Sequence, residues 1–104
     1  MDFGLKTVTI EAIKQCMADY PEVEEAIIYG SRAMGTFRNG SDIDLVLIGN
    51  KLSLSILSKL ENDLDDLMLP YQFDIAIYHQ IGNDELLEHI HRAGASIYKK
   101  SDFR

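Results

Sequence analysis

Apolar residues along this chain fall into two kinds of spacing, and the alternation between them predicts its elements. Ile10, Ile13, Met17 and Tyr20 recur at helical spacing, with Thr9 placed to cap the helix and Pro21 just beyond its end. Residues 26–29, Ala-Ile-Ile-Tyr, then read as a short buried strand that stops at Gly30. Residues 31–35 can hold a short helix, and Asn39-Gly40 is a turn dipeptide. Residues 42–48, Asp-Ile-Asp-Leu-Val-Leu-Ile, form a second strand closed by Gly49-Asn50. A longer helix is predicted over residues 53–68, with Leu54, Leu57, Leu60, Leu64 and Leu67 as its core stripe. Glu61, Asp63, Asp65 and Asp66 mark its solvated face, and Pro70 stops it. Residues 72–78 form a third strand, and Asn83 caps a last helix that buries Leu86, Leu87 and Ile90. The polar tail, residues 99–104, is expected to be mobile.

The resulting order is α-β-α-β-α-β-α, an α/β (α+β) arrangement with a three-stranded mixed sheet and helices packed against it. The helix between the second and third strands calls for a parallel pair there, because parallel neighbours need a crossover. The short link between the first and second strands permits an antiparallel pair. One domain over residues 1–104 is expected, with its core at about residues 5–98.

Composition narrows the function. The chain has 104 residues, 46% hydrophobic and 26% charged, which suits one small globular domain with no separate substrate domain. It carries 17 acidic and 10 basic residues, a net charge of -7. A nucleic-acid binder recovers counterion-release energy through a basic face, so direct nucleic-acid binding is not expected. A basic protein partner or a small phosphorylated ligand fits this charge better. Cys16 is the single cysteine, so no internal disulfide can form and a reducing, cytoplasmic setting is expected. No apolar run reaches membrane-spanning length, and no membrane association is expected.

The chemistry centres on acids. Asp42 and Asp44 lie two apart in a predicted strand, so the strand period puts both carboxylates on one face. Two bare carboxylates this close repel, and protonation or a cation must relieve them. Hard oxygen ligands of this kind suit Mg²⁺, which also takes water and phosphate oxygens. A solvated pair at a strand's first turn is the plainer alternative. Asp74 sits between Phe73 and Ile75 in the third strand, where an acid is costly unless paired or ligating. If the second and third strands are neighbours, Asp74 can join Asp42 and Asp44 in a two-metal site. Its alternative is a salt bridge to Arg32 or Arg38. Upstream, Gly30-Ser31 stands at a strand-to-helix junction, where the backbone can approach a phosphate closely, or where Gly30 simply turns the chain and Ser31 caps the helix.

Residues 30–44 read Gly-Ser-Arg-Ala-Met-Gly-Thr-Phe-Arg-Asn-Gly-Ser-Asp-Ile-Asp: Gly-Ser, ten residues, then Asp-x-Asp. With a third strand acid downstream, this resembles the signature of the DNA polymerase β-type nucleotidyltransferase superfamily over about residues 23–98. In size and arrangement the chain is similar to the minimal nucleotidyltransferase (MNT) proteins, antitoxins that pair with HEPN-domain toxins. The resemblance implies the nucleotidyltransferase fold and transfer of AMP from ATP to a hydroxyl, a tyrosine of the toxin. It implies two Mg²⁺ ions, for which Mn²⁺ can substitute, held by Asp42, Asp44 and Asp74, with Asp74 helping to activate the acceptor. Gly30, Ser31, Arg32, Arg38 and Ser41 would face the nucleotide, and the working form would be a hetero-oligomer. Met34 departs from the pattern, since many relatives carry a second arginine there.

Other residues attract blander readings. His89 and His91, two apart on a helix, point about 200° apart and suit solvent or an interface rather than a shared metal. His79 follows the third strand as a surface residue, and Cys16 is a small core residue. Tyr29, Tyr71, Tyr78 and Tyr98 are expected in packing or at sheet edges. Beside catalysis, two other functions compete: a non-catalytic module that neutralises its partner by occlusion, and a small-molecule nucleotidyltransferase.

Overall fold

A computed structural model describes residues 2–103 of the protein, and the side chains of residues 2–101. The chain runs α1 (Thr7–Ala18), β1 (Glu25–Tyr29), α2 (Ser31–Met34), β2 (Ile43–Ile48), α3 (Leu54–Asp65), β3 (Phe73–Ile77), α4 (Asp84–Ala93) and β4 (Ala95–Lys99), with 3-10 turns at Tyr78–Gln80 and Lys100–Phe103. The strands form one sheet in the order β3-β2-β1-β4. β2 and β3 are parallel, joined across α3, while β1 is antiparallel to both β2 and β4. The parallel and antiparallel pairs fall where the link lengths put them.

The alternation of each strand divides the core in two. Ile28 of β1, Ile43, Leu45 and Leu47 of β2, and Ile75 and Ile77 of β3 join Ile13 and Met17 of α1 and Leu60 and Leu64 of α3 in the larger cluster. The opposite face carries a smaller cluster in which Tyr29 and Val46 meet Ile90 of α4, flanked by Ile27, Tyr78, Ile81 and Leu86. Asp44 and Asp74 have the parity of this second face, so the acids share the α4 side of the sheet.

Four strands replace the expected three. Residues Ala95–Lys99 lack the alternation that marks a half-buried strand, since the buried pair Ile97 and Tyr98 is adjacent. A register shift between Ala26 and Ile27 accommodates them against β1. The tail is tied down as well: Lys99 pairs with Glu25 in the ladder, and the Lys100 N–H donates to the Glu24 carbonyl at 2.9 Å. Arg104 lies outside the described residues.

The helix ends also differ. α1 begins at Thr7 behind Lys6, with no side-chain cap, and Thr9 is buried rather than capping. α3 is capped by Ser53, whose Oγ accepts from the Ile56 N–H at 3.3 Å, and is shorter than expected. Leu54 at its first turn is exposed and stands outside the stripe. It ends at Asp65, ahead of Pro70, and the turn that follows carries Met68 at a left-handed φ of 57°. The last helix is capped as expected, Asn83 Oδ1 accepting from the N–H groups of Glu85 and Leu86 at 2.9 and 3.1 Å.

Two substitutions in and after α3 separate packing from backbone strain. Leu60→Ala empties a fully buried position and should cost about 2–5 kcal/mol. Met68→Gly should stabilise by about 0.5–1 kcal/mol, because Met68 is exposed and glycine adopts its left-handed φ without a Cβ penalty. Urea unfolding of the two variants beside the parent reads both signs.

Candidate active site

Parallel pairing of β2 and β3 sets Asp44 opposite Asp74, and antiparallel pairing of β1 and β2 sets Tyr29 opposite Asp44. Asp42 lies just before β2, exposed, while Asp44 is partly buried and Asp74 is exposed on the outer strand. Burial pushes the Asp44 carboxyl up from its usual range; the charges of Asp74 and Asp42 push it further, and His89 opposes them. Tyr29 is held up at about 12, first by burial and then by Asp74 and Asp44. The three acids therefore form one electrostatic cluster. Among the described residues the salt bridge is Arg92–Glu88 on α4, so the alternative pairing of Asp74 with Arg32 or Arg38 does not occur.

Gly30 closes this cluster on the β1 side. Its φ of 75° and ψ of -154° belong to the region that favours glycine, and a Cβ there would collide with Asp44 Oδ2. The Gly30-Ser31 turn thus runs directly against the central carboxylate. Its amide is held: the Gly30 N–H donates to His89 Nε2 at 2.9 Å. The His89 ring also meets Tyr29 edge-on, with centroids 6.1 Å apart and planes at 75°.

His89 is therefore part of the site, and the expectation of a solvent or interface histidine is corrected for it. A signal was present in the sequence: Leu86, His89, Ile90 and Ala93 share one helical face, the one turned to the sheet. His91 is the exposed one of the pair and bonds the Tyr78 hydroxyl at 2.7 Å. His79 is exposed and Cys16 is buried, as expected.

Arg32 needs a different correction. It is 2% exposed, and its guanidinium is spent inside the fold. Nε and Nη2 donate to the Ser41 carbonyl at 3.1 and 2.8 Å, and Nη1 donates to the Phe3 carbonyl at 2.9 Å. The group lies between aromatic rings, 5.2 Å from the Phe37 centroid and 4.8 Å from that of Tyr71. It braces the loop that delivers Asp42 rather than reaching toward a triphosphate. Ser41 is also used within that loop, since its Oγ accepts from the Arg38 N–H at 2.8 Å. The Arg38 side chain is exposed at the rim of a hollow of about 270 Å³ lined by Arg32, Phe37, Asn39 and Tyr71. A larger hollow, about 650 Å³, lies between Pro21, Asn50, Lys51 and Lys100 at the far ends of β1 and β2, away from the acids.

Among the described residues no three His, Cys, Asp or Glu side chains are drawn together as a metal-holding group. The donors present are two carboxylates in register and a third at the strand's mouth, beside a glycine turn. Such a set suits an ion that completes its shell with water and phosphate oxygens, as Mg²⁺ does, rather than one caged by protein. Nor is any helix among the described residues long and apolar enough to cross a membrane.

Residues 11–103 match the family described as Polymerase beta, Nucleotidyltransferase. Curated proteins give no significant match. Solved structures do: a toxin–antitoxin complex with AMP-PNP superposes with a TM-score of 0.72 at 18% identity, over 89% of this chain and 75% of that one. A complex of a tri-AMPylated Shewanella oneidensis HEPN toxin with its MNT antitoxin gives 0.69 at 14% identity, over 94% and 76%. The toxin–antitoxin MntA-HepT gives 0.68 at 14% identity, over 93% and 75%. At these identities the likeness establishes the fold.

The raised Asp44 fixes the sign of a pH effect. Its neutral form is favoured in the folded protein, so its contribution to stability is intact below 3.8 and is lost as pH rises through the raised folded value. Without divalent ions, Asp44→Asn should therefore become progressively more stable than the parent toward neutral pH. Urea midpoints across that range check it, and a gap that narrows with rising pH contradicts a carboxyl raised by burial and by its acidic neighbours.

Proposed function

The chain belongs to the Polymerase beta nucleotidyltransferase family, and from that premise we propose that it moves AMP from ATP to a tyrosine hydroxyl of a HEPN-type toxin, acting as its antitoxin. The observation that carries this reading is the register that pairs Asp44 with Asp74, with Asp42 at the strand's mouth and the Gly30-Ser31 turn against Asp44. The nucleotide analogue and the AMPylated toxin in the structures of like fold support ATP and the partner class. In this proposal one domain works within a hetero-oligomer in the cytoplasm.

In the transfer, the acceptor oxygen bonds to the α-phosphorus of ATP. The bond from that phosphorus to the bridging oxygen breaks, pyrophosphate leaves, and the hydroxyl proton passes to Asp74. Asp42 and Asp74 are exposed, so a hydroxyl carried on another protein can reach them. Asp42, Asp44 and Asp74 would hold two Mg²⁺ ions, which supply charge neutralisation to the triphosphate and acidity to the acceptor. Gly30 and Ser31 present close backbone to the phosphates, and Arg38 is the loop cation free to approach them. The buried Arg32 acts through the loop it braces.

Binding and catalysis can be separated. Mg²⁺ or Mn²⁺ should raise the melting temperature by relieving the carboxylates, and Asp44→Asn should diminish the gain. A parent whose melting temperature ignores saturating metal would remove the shared metal site. Asp74→Asn should retain Mg·ATP affinity by calorimetry and lose transfer by roughly three orders of magnitude, the scale of a missing proton acceptor. Intact-mass analysis of the purified pair with ATP and Mg²⁺ reads the product. Full protection from the toxin by Asp74→Asn, with no nucleotide mass added, would leave neutralisation by occlusion in place of catalysis.

A further inference from the structure

His89 is the side chain from α4 that reaches the residues lining the acid cluster, and it touches them in two ways. It accepts the Gly30 N–H at 2.9 Å, and it packs edge-on against Tyr29. Tyr29 is the register partner of Asp44, and Gly30 is the residue whose missing Cβ makes room for the Asp44 carboxylate. One imidazole thus bears on both residues that line Asp44 from the β1 side.

The hydrogen bond has a definite chemical form. An amide can only donate, so Nε2 carries a lone pair, and in the neutral ring the proton sits on Nδ1. The bond fixes the plane of the peptide between Tyr29 and Gly30 just before the backbone enters its left-handed excursion. Glycine has the widest conformational freedom of any residue, and nothing in its own side chain holds it in that region. On the following side the Gly30 carbonyl accepts from the Met34 N–H at 3.1 Å. The turn is therefore gripped at both ends, once by its own short helix and once by α4.

We propose that His89 is a positioning residue for nucleotidyl transfer: by holding the Gly30 amide it sets the Gly30-Ser31 turn in the conformation that receives the triphosphate. The inference rests on the nucleotide reading of that turn. It assigns α4 a role beyond covering the sheet, since Leu86 and Ile90 dock the helix and His89 transmits that docking to the turn. His89 takes no part in the reacting bonds, so its loss acts on nucleotide binding before it acts on turnover.

The test uses the full chain and two variants. His89→Leu keeps the bulk and removes the acceptor, while His89→Gln offers an amide oxygen in place of Nε2. In the nucleotide-free protein, the Gly30 amide should lose its hydrogen-exchange protection in His89→Leu and keep it in His89→Gln. With AMP-PNP and Mg²⁺, calorimetry should show about tenfold weaker binding for His89→Leu, the scale of one lost hydrogen bond, with near-parent binding for His89→Gln. In transfer assays the KM for ATP should rise while kcat is held within about twofold. Amide exchange measured over the whole chain shows whether His89→Leu is folded; if it is not, His89→Gln alone decides, and weak nucleotide binding by that variant with Gly30 still protected overturns the proposal. Unchanged Gly30 protection in a folded His89→Leu overturns it too, as does lost protection with parent affinity. A parent that binds no Mg·AMP-PNP overturns the nucleotide reading and this inference together, and is recognised because Gly30 protection still responds to His89→Leu.

Discussion

Holding two carboxylates face to face across a parallel strand pair is the constraint on which the rest of this structure depends. Asp44 and Asp74 repel, and among the described residues no salt bridge takes up either charge. The register is kept from behind, by Ile43, Leu45 and Leu47 on β2 and by Ile75 and Ile77 on β3, all buried against α1 and α3. A slip of one residue would send these side chains to the α4 face and the acids into the larger core, so the apolar face enforces the placement of the polar one. The site is strained electrostatically and secured hydrophobically, on opposite sides of one sheet.

The parts legible in the sequence are those written locally. A two-residue period placed Asp42 and Asp44 on one side, an apolar run around Asp74 marked it as costly, and the crossover through the leucine-rich helix made its strand the parallel neighbour. Those three readings suffice to bring the acids together. The misread parts depend on contacts remote in sequence. Ala95–Lys99 becomes a strand only because β1 offers an open antiparallel edge, with a register shift that no pattern within five residues announces. Arg32 looked like a phosphate ligand because the loop reads as one. Its burial is decided by Phe3 and Tyr71, from either side of it in the chain. His89 shares its helical face with Leu86 and Ile90, which its spacing from His91 does not reveal.

The loop between β1 and β2 divides its chemistry between two arginines. A guanidinium can be a ligand or a strut, and here its planar fork is filled by two backbone carbonyls and its faces by rings. Stiffness goes to Arg32, and the exposed charge of the same loop falls to Arg38. The Gly30-Ser31 turn is divided likewise: its approach to Asp44 is a matter of missing atoms, whereas its orientation is imposed from α4.

The contact between Arg32 and the Phe3 carbonyl has a consequence for the order in which the molecule assembles. Phe37 rests where only a glycine, Gly4, leaves room for its ring, so the same stretch ahead of α1 engages the loop twice. The loop therefore gains its shape only when the stretch ahead of α1 docks, and closing that span of 29 residues carries an entropic cost before the contact repays it. β1 and β2 can pair first as local neighbours, while the mouth of the acidic cluster waits for the N-terminal stretch to dock. The part of the protein that most needs a fixed geometry is thus completed from outside the two strands that flank it.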